Sequence, residues 1–294
     1  MQPHWDDLQD FLRVARAGRI ARAAAAAGID ATTLARHLRR LEATLGQTLF
    51  EQTREGQALT AAGEALLVAA EAMERAAAGI AAQHADPDRL TGLLRVSVSE
   101  GFGTWFVAHH LRDFTAMHPE LTVDLVASSG FLSPSKREAD VAVLLARPQT
   151  GPLVSSKLTD YALGLYASDL YAARRPLPVE AAAVRDHPLI GYVPDLLYAP
   201  ELRYLAEIEE GLSPGIRSSS INAQYRLVAA GAGLGVLPRF IGDADRSLRR
   251  VLPDRTIRRS FWLVTHQDTR DARRVRAFRD WLTGVVAAQR ARFV

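Results

Sequence analysis

Arginines dominate one short stretch near the start of the sequence. Between residues 13 and 40 there are seven arginines against one acidic residue, Asp30. They are Arg13, Arg16, Arg19, Arg22, Arg36, Arg39 and Arg40. Guanidinium groups bind phosphate oxygens and the hydrogen-bonding edge of guanine. The charges alone fit a solvated helix face equally well, so the residues around them must decide.

Three residues in this stretch have the type and spacing of base-reading groups. Thr32, Thr33 and Arg36 share an outward face near the start of a predicted helix. Threonine hydrogen-bonds a base or contacts a thymine methyl group, and arginine is the usual reader of guanine. We predict that these three residues read bases. The alternative is that the two threonines only support the start of the helix.

Other polar residues nearby predict contacts of lower specificity. We expect Arg39 and Arg40 to bind phosphate, which positions a protein on DNA without reading sequence. His37 is predicted to be a surface or phosphate contact and not a metal ligand. Arg54 is expected either to enter a minor groove or to be a solvated turn charge.

Two short helices must position these side chains. An alanine-rich helix over residues 20–27 is followed by Gly28, and Asp30 is a good N-cap for a helix over residues 31–45. A break of about three residues between two such helices is typical of a helix-turn-helix. The polar stretch 51–57, with Gly56 at its turn, predicts a two-stranded wing.

A long helix is predicted next, over residues 61–84. An apolar stripe on it contains Leu66, Met73, Ala77 and Ile80. A lone helix needs a partner to cover such a stripe, so we predict that these residues form a dimer interface. The sequence therefore divides into a DNA-binding domain at 1–60, a linker and dimerisation helix at 61–90, and a larger domain at 91–294.

Strands alternate with helices in the larger domain, which predicts an open α/β sheet. Predicted strands cover residues 94–98, 121–127, 140–145, 163–167, 189–193 and 261–265. Predicted helices cover residues 105–117, 223–230 and 275–288. About 200 residues of this pattern, with the last helix returning to the first strand, indicate two lobes with a cleft between them.

Composition and missing motifs exclude several classes of protein. There is no cysteine, 48% of the residues are hydrophobic, and no run approaches the roughly 18 apolar residues of a membrane span. Asp6, Asp7 and Asp10 argue against a secretory signal, so we expect a cytoplasmic protein. Motifs of hydrolases, phosphate loops and zinc proteases are absent, and we predict neither an enzyme nor a metal or cofactor site. Gly231, Gly233 and Gly235 follow a predicted helix, so they predict a helix stop and a buried strand.

The residues resemble those of LysR-type transcriptional regulators over essentially the whole chain. The resemblance rests on Phe11, Val14, Ala15, Gly18, Ala23, Ala24, Leu34-Ala-Arg-His-Leu-Arg-Arg-Leu-Glu42, Gly46, Leu49-Phe50, Leu59-Thr60 and Ala62-Gly63-Glu64. Asp140-Val-Ala-Val143 and Ala230-Gly-Ala-Gly-Leu-Gly-Val-Leu-Pro238 match the ligand-binding half. The chain departs from the family in having Asp30-Ala31-Thr32 where Ser-Gln-Pro is common and Gln52 where arginine is common.

The resemblance implies a winged helix-turn-helix that dimerises through the linker helix and often assembles as a tetramer. It implies binding to double-stranded promoter DNA, with RNA polymerase as a further partner. The larger domain is then similar to periplasmic binding proteins and holds a small-molecule effector between its lobes.

The same resemblance places the effector where the first strand of the larger domain meets its first helix. Ser99, Phe102 and Thr104 lie at this turn, and Ser128 and Ser129 form the far side. Glycines 101 and 103 are expected to expose backbone N–H groups, which attract anions at a helix start. The alternative is that Ser99 or Thr104 only caps the helix. Because Glu100 would repel an anion, we expect a small polar or aromatic metabolite of open charge.

Two further functions remain as alternatives. One is a small-molecule binding or enzymatic α/β protein whose N-terminal helices serve only dimerisation. The other is a regulator whose cleft no longer binds a ligand. The excess of arginine around the helix-turn-helix favours a ligand-responsive DNA-binding regulator over both.

Overall fold

The computed structural model consists of two compact units that divide between residues 88 and 89. It describes residues 3–54, 56–82, 89–128, 130, 132, 134–136 and 138–294, and only the backbone of residues 75, 76, 78–82 and 136. Each unit has a hydrophobic core of its own. No helix within these ranges is long and apolar enough to cross a membrane.

Three helices begin the N-terminal unit: α1 (Trp5–Ala17), α2 (Ile20–Ala27) and α3 (Ala31–Leu45). Each ends at a glycine: Gly18, Gly28 and Gly46. Gly28, with a φ of 68°, adopts the left-handed conformation that glycine tolerates best, and the chain turns there from α2 into α3. The Asp30 carboxylate accepts a hydrogen bond from the Thr32 backbone N–H at 2.8 Å, which caps α3. The predicted helix-turn-helix is confirmed.

The core of this unit is formed by the apolar faces of the three helices. Leu34 and Leu41 of α3 are completely buried, together with Phe11 of α1. Burying a leucine or phenylalanine side chain stabilises a fold by about 1.5–3 kcal/mol. Ala23 and Ala24 of α2 are also buried, and their small side chains allow close approach of the helices.

A two-stranded wing and a long helix complete the N-terminal unit. Strands β1 (Phe50–Gln52) and β2 (Gln57–Leu59) pair antiparallel, as predicted. A Cβ atom at Gly56 would lie 2.2 Å from the Gly18 carbonyl oxygen, so only glycine fits where the wing turn meets the end of α1. Helix α4 (Ala61–Ala82) follows, and the predicted final residues 83 and 84 lie outside the described residues.

Among the described residues of the C-terminal unit, a nine-stranded sheet forms the framework. Its strands are β3 (Gly92–Ser99), β4 (Leu121–Ser128), β5 (Val141–Leu144), β6 (Leu153–Ser168), β7 (Leu189–Gly191), β8 (Ile216–Arg217), β9 (Leu234–Pro238), β10 (Leu248–Val251) and β11 (Ile257–His266). The order is β4-β3-β5-β11-β6-β9-β7-β8, and β10 pairs with β6. The long strands β6 and β11 pair antiparallel and join the two halves.

The two halves of the sheet correspond to the two predicted lobes. The first lobe contains β3, β4 and β5, which pair in parallel. The second lobe contains β7, β8, β9 and β10. The helices of the two lobes are, in chain order, α5 (Glu100–Phe102), α6 (Ala108–Met117), α7 (Asp169–Ala172), α8 (Leu205–Ile208), α9 (Ile221–Ala229), α10 (Arg239–Gly242) and α11 (Arg273–Ala288). A π-helical turn, Gly103–Val107, connects α5 to α6. Phe114 of α6 packs against Phe278 of α11 with ring centroids 5.2 Å apart.

Four strands differ from the sequence prediction. β6 begins at Leu153, ten residues before the predicted start, and β11 begins at Ile257, four residues before it. β8 and β10 were not predicted. The first part of β6 contains Ser155, Ser156 and Lys157, so it lacks the apolar run that indicates a buried strand. The strand β9 after α9 agrees with the prediction made from Gly231, Gly233 and Gly235.

The start of the first helix in the C-terminal unit is a clear correction. The helix begins at Glu100, directly after β3, and not at Trp105. Gly101 and Gly103 are buried and do not expose their backbone. A Cβ atom at Gly103 would lie 2.5 Å from the Cβ of Ala127 and 2.6 Å from a methyl of Val98. Glycine is therefore needed here because the helix packs directly against the sheet.

We predict that Gly103→Ala destabilises the C-terminal unit by about 1–3 kcal/mol, because the added methyl overlaps β3 and β4. Gly284→Ala is the matched control, since Gly284 is also helical but has open space around it. That change should stabilise the unit by up to about 1 kcal/mol. Urea unfolding followed by the fluorescence of Trp105, Trp262 and Trp281 measures both. Equal stability of the two variants would contradict the packing role.

Candidate DNA-binding surface and ligand cleft

The start of α3 is fixed by the side chain of Asp30. Its carboxylate accepts hydrogen bonds from both the hydroxyl and the backbone N–H of Thr32. These hydrogen bonds, the one from the hydroxyl foremost, lower the pKa of Asp30. The hydroxyl proton of Thr32 is thus used in the cap, while the side chain remains exposed. Its methyl group and its hydroxyl oxygen are what it presents to a partner.

Arg36 lies one turn further along α3 and is exposed. Its side chain makes no hydrogen bond or ion pair with the residues that the structure describes. Thr33 is half-buried, and its backbone N–H also hydrogen-bonds to the Asp30 carboxylate. Arg39 is exposed, and its Nε donates to the Ala35 carbonyl oxygen at 3.3 Å. The first two turns of α3 therefore present Thr32 and Arg36 together to solvent.

Arg40, which we predicted to bind phosphate, pairs with another residue of the same unit. Its guanidinium group donates to both carboxylate oxygens of Asp7 on α1, through Nε at 2.8 Å and through Nη2. Asp7 is only 1% exposed, so its carboxylate depends on this pair. The Arg40 side chain is still 48% exposed and its Nη1 has no partner among the described residues, so Arg40 can hold Asp7 and face a phosphate at the same time.

His37 is a second correction. It is not a free surface residue: its Nδ1 lies 2.6 Å from Oδ2 of Asp10, and the side chain is 20% exposed. Asp10 is buried and also accepts a hydrogen bond from Arg13 at 2.6 Å. The contact therefore joins α3 to α1 within the unit.

The structural role of Asp7 and Asp10, which join α1 to α3, was not predicted from the sequence. Their spacing of three residues places both carboxylates on one face of α1. That spacing, next to a run of arginines on another helix, was the available indication. A third pair, between Arg16 and Glu74 at 2.6 Å, joins α1 to α4. Part of the arginine cluster thus fixes the unit, and Arg36 is left for a partner.

The wing presents Arg54 near its turn. Arg54 is exposed and forms no ion pair or hydrogen bond with the described part of the chain. The strands beside it are joined by a hydrogen bond from Gln57 Nε2 to Gln52 Oε1 at 2.7 Å. Gln52, which stands where the family commonly has arginine, therefore stabilises the wing.

In the C-terminal unit, two predicted effector residues meet at a narrow cavity between the lobes. Ser99 and Phe102 line it from the first lobe. The cavity is about 20 Å³ in volume, which is enough for a single water molecule. Its other walls include Tyr161, Tyr192, Tyr198, Leu202 and Tyr204. Residues 192–204 of the second lobe thus fill the space expected for an effector.

The other predicted effector residues lie outside this cavity. Thr104 is exposed, and its hydroxyl oxygen accepts a hydrogen bond from Asn222 Nδ2 at 3.2 Å. The Ser128 hydroxyl donates to the Gly130 carbonyl oxygen. Ser129 lies outside the described residues. Thr104 does not line this cavity, because the helix begins five residues earlier than predicted and the Thr104 side chain faces outward.

The tyrosines of the cavity are held in their neutral form. Burial raises the pKa of Tyr192 and of Tyr204 well above the usual value. Burial also raises the pKa of Tyr198, and the negative charge of Glu100 raises it further. At neutral pH these phenols keep their protons and can donate hydrogen bonds.

Glu100 joins the two lobes. Its carboxylate accepts hydrogen bonds from the Ser220 hydroxyl at 2.7 Å, the Ile221 backbone N–H at 2.9 Å and Asn222 Nδ2 at 3.1 Å. These donors form the start of α9, where the helix dipole favours a negative charge. Trp105 Nε1 adds a hydrogen bond to Asn222 Oδ1 at 2.8 Å. We call this set of contacts the Glu100 clasp.

The Glu100 clasp changes the expected location of anion binding. The anion bound at a helix start is the carboxylate of Glu100, which belongs to the protein itself. The helix start that binds it is that of α9 in the second lobe, and not the one predicted after β3. Within the described ranges, no three His, Cys, Asp or Glu side chains form a cluster that could hold a metal ion. His110 of the His109-His110 pair contacts Gln289 at 2.9 Å, as an ordinary helix residue would.

Two family models match the chain. The one described as "Bacterial regulatory helix-turn-helix protein, lysR family" matches residues 5–64, and "LysR substrate binding domain" matches residues 87–287. The chain is 29% identical over 289 residues to the Mau operon transcriptional activator of Paracoccus denitrificans, which covers 97% of each protein. It is 26% identical over 294 residues to the HTH-type transcriptional regulator CrgA of Neisseria meningitidis serogroup C, covering 96% of this chain and 97% of CrgA.

Solved structures have the same fold. The structure of CrgA from Neisseria meningitidis matches with a TM-score of 0.60 at 23% identity, over 95% of this chain and 97% of that chain. CbnR, a LysR family transcriptional regulator, matches with a TM-score of 0.69 at 19% identity, over 96% and 99%. A family of transcription regulators agrees with the prediction that the chain is not an enzyme. The order of the two matched domains is the order described above, and the chain belongs to the LysR family of bacterial transcriptional regulators.

Proposed function

We propose that this regulator reads promoter DNA through the exposed start of α3 and responds to a small molecule bound by its C-terminal unit. The observation that carries the DNA-binding part is Arg36, which is exposed and lacks a partner among the described residues beside the capped start of α3. In a helix-turn-helix the second helix enters the major groove with its N-terminal residues at the base edges. The protein acts in the cytoplasm, together with RNA polymerase at the promoter.

Each candidate contact has a distinct role in this proposal. Thr32, Thr33 and Arg36 read bases, and Arg39 binds phosphate. Arg54 enters the minor groove beside the wing. His37 holds α3 in place through the buried Asp10, and Arg40 does so through the buried Asp7.

We expect Arg36→Ala to weaken binding to the specific site by about 1–3 kcal/mol and to relax discrimination at one position of each half-site. Arg39→Ala should weaken specific and random DNA alike and lower the salt dependence by about one phosphate contact. Arg36→Lys is the matched control. It keeps the charge but loses the planar fork that pairs with guanine, so discrimination should fall while the salt dependence stays. Titration of labelled DNA at several salt concentrations measures all three.

Binding of Arg36→Ala to specific and random DNA with the affinity of the parent would contradict the assignment of this helix. A loss that is identical on both kinds of DNA would make Arg36 a phosphate contact.

Helix α4 supports assembly as a dimer or tetramer. Its apolar stripe starts against the core of its own unit, where Ala70 is fully buried and Leu66 is partly buried. Leu66 is therefore used within the unit, which corrects its prediction as a free interface residue. Further along the stripe, Met73 is 48% exposed and Ala77 is half-buried. The side chain of Ile80 lies outside the described residues. We propose that the stripe from Met73 onward packs against a second copy of α4.

Met73→Glu should dissociate the full-length dimer, because a carboxylate placed in an apolar interface costs roughly 2 kcal/mol or more. Val68→Glu is the matched control. Val68 is 50% exposed on the same helix, but about 140° around its axis from Met73. Sedimentation at micromolar concentration should show a monomer for Met73→Glu only. A dimer in both variants would contradict this interface.

The effector site of the proposal is the cleft at Ser99. A ligand larger than water enters only when residues 192–204 move, since they fill the cleft. The Glu100 clasp joins the lobes beside it, so binding and the closing of the lobes are linked through Glu100. The chemical requirement for the ligand is an apolar or aromatic body that replaces tyrosine contacts.

We expect Glu100→Ala to destabilise the C-terminal unit by about 1–3 kcal/mol, because it leaves the donors at the start of α9 unpaired. The freed helix start should then bind a small carboxylate, so added acetate should raise the unfolding temperature of this variant and not that of the parent. Thr104→Val, which removes one exposed hydrogen bond, is the control and should change stability by less than about 0.5 kcal/mol. Unchanged stability of Glu100→Ala would contradict the clasp.

A further inference from the structure

A second cavity lies within the second lobe alone. It has a volume of about 250 Å³ and is bounded by β7, the segment that follows it, α9 and β9. Its lining residues include Ile190, Tyr192, Leu197, Leu205, Leu212 and Val236. None of the residues lining it belongs to the first lobe, so a molecule bound here would not bridge the lobes.

The lining is apolar except for a few groups. Gln224 is the most buried of these, with 1% of its surface exposed. Its Nε2 donates to the Ser218 carbonyl oxygen at 3.1 Å, which fixes the orientation of the amide. The Oε1 atom accepts no hydrogen bond from any described residue. Because Gln224 lines the cavity, this oxygen is open to an N–H or O–H donor of a ligand bound there.

The size of the cavity limits the ligand. An apolar cavity of about 150 Å³ holds a benzene molecule. A cavity of about 250 Å³ therefore accommodates one or two fused aromatic rings. Arg203 lines the cavity as an exposed residue and forms no ion pair within the described ranges. A negative charge on the ligand is therefore tolerated at the rim and excluded from the apolar interior.

The cavity is distinct from the cleft but shares walls with it. Tyr192, Leu202 and Tyr204 line both. Ser99 and Phe102 line only the cleft. A molecule in the second-lobe cavity therefore contacts the segment that fills the cleft from its other side.

We propose that this cavity is a binding site for a small planar aromatic molecule with an N–H or O–H donor. The aromatic body contacts the aliphatic and tyrosine walls, and the donor reaches Oε1 of Gln224. The site goes beyond the effector cleft and does not depend on it.

The test uses indole as the probe and 1-methylindole as its matched partner, which has the same rings and no donor. Calorimetric titration of the full-length protein should show saturable binding of indole with one site per chain. 1-Methylindole should bind about three- to tenfold more weakly, the range expected for one lost hydrogen bond. In Gln224→Leu the two probes should bind equally.

Two further variants place the site. Leu212→Phe fills the cavity and should abolish indole binding, whereas Ser99→Ala alters only the cleft and should leave it unchanged. If Leu212→Phe fails to fold, the loss of discrimination in Gln224→Leu decides. No saturable binding of indole at millimolar concentration overturns the proposal, as does binding that Ser99→Ala abolishes. Equal affinity of both probes for the parent protein also overturns it.

Discussion

The carboxylates of Asp7 and Asp10 are almost completely removed from water, and a buried carboxylate is stable only when it is paired and hydrogen-bonded. Both partners on α3, Arg40 and His37, lie within one turn of each other. These pairs fix the rotation of α3 about its own axis relative to α1. Because rotation decides which side chains point outward, the exposure of Arg36 depends on them. Losing Arg40 would leave the buried charge of Asp7 uncompensated, which is strongly destabilising.

In the C-terminal unit, a carboxylate that must be hydrogen-bonded likewise joins the two lobes. Glu100 on the first lobe is satisfied by Ser220, Ile221 and Asn222 at the start of α9 on the second. Opening the lobes would break the three hydrogen bonds of Glu100 and the two that join Asn222 to Trp105 and Thr104. It would also separate the Glu100 charge from the helix dipole that stabilises it. These contacts hold the two lobes together at Glu100. An anionic effector at the start of α9 would compete with a carboxylate that is already held in the right geometry.

The features that sequence reasoning predicted are local ones. Gly28 ends α2 and Asp30 caps α3, and both were predictable because a cap involves residues within a few positions of each other. The buried pairs were not predictable in the same way. Asp7 and Arg40 are 33 positions apart, and Glu100 and Asn222 are 122 apart, so only the assembled fold brings them together. Gly103 shows a different limit: glycine suits both an exposed turn and close packing, and only the structure distinguishes them.

The aromatic filling of the cleft determines how an effector can enter. Tyr161 is fully buried and stacks on Phe261 with ring centroids 4.1 Å apart, so it belongs to the fixed wall. Tyr192 and Tyr198 are only partly buried and lie in the segment that fills the cleft, so they are the groups that must move. The apparent affinity of an effector is then reduced by the fraction of molecules in which they have moved. Because Tyr192 also lines the second-lobe cavity, a molecule there that holds Tyr192 in place opposes effector binding, and by thermodynamic linkage the effector opposes that molecule equally.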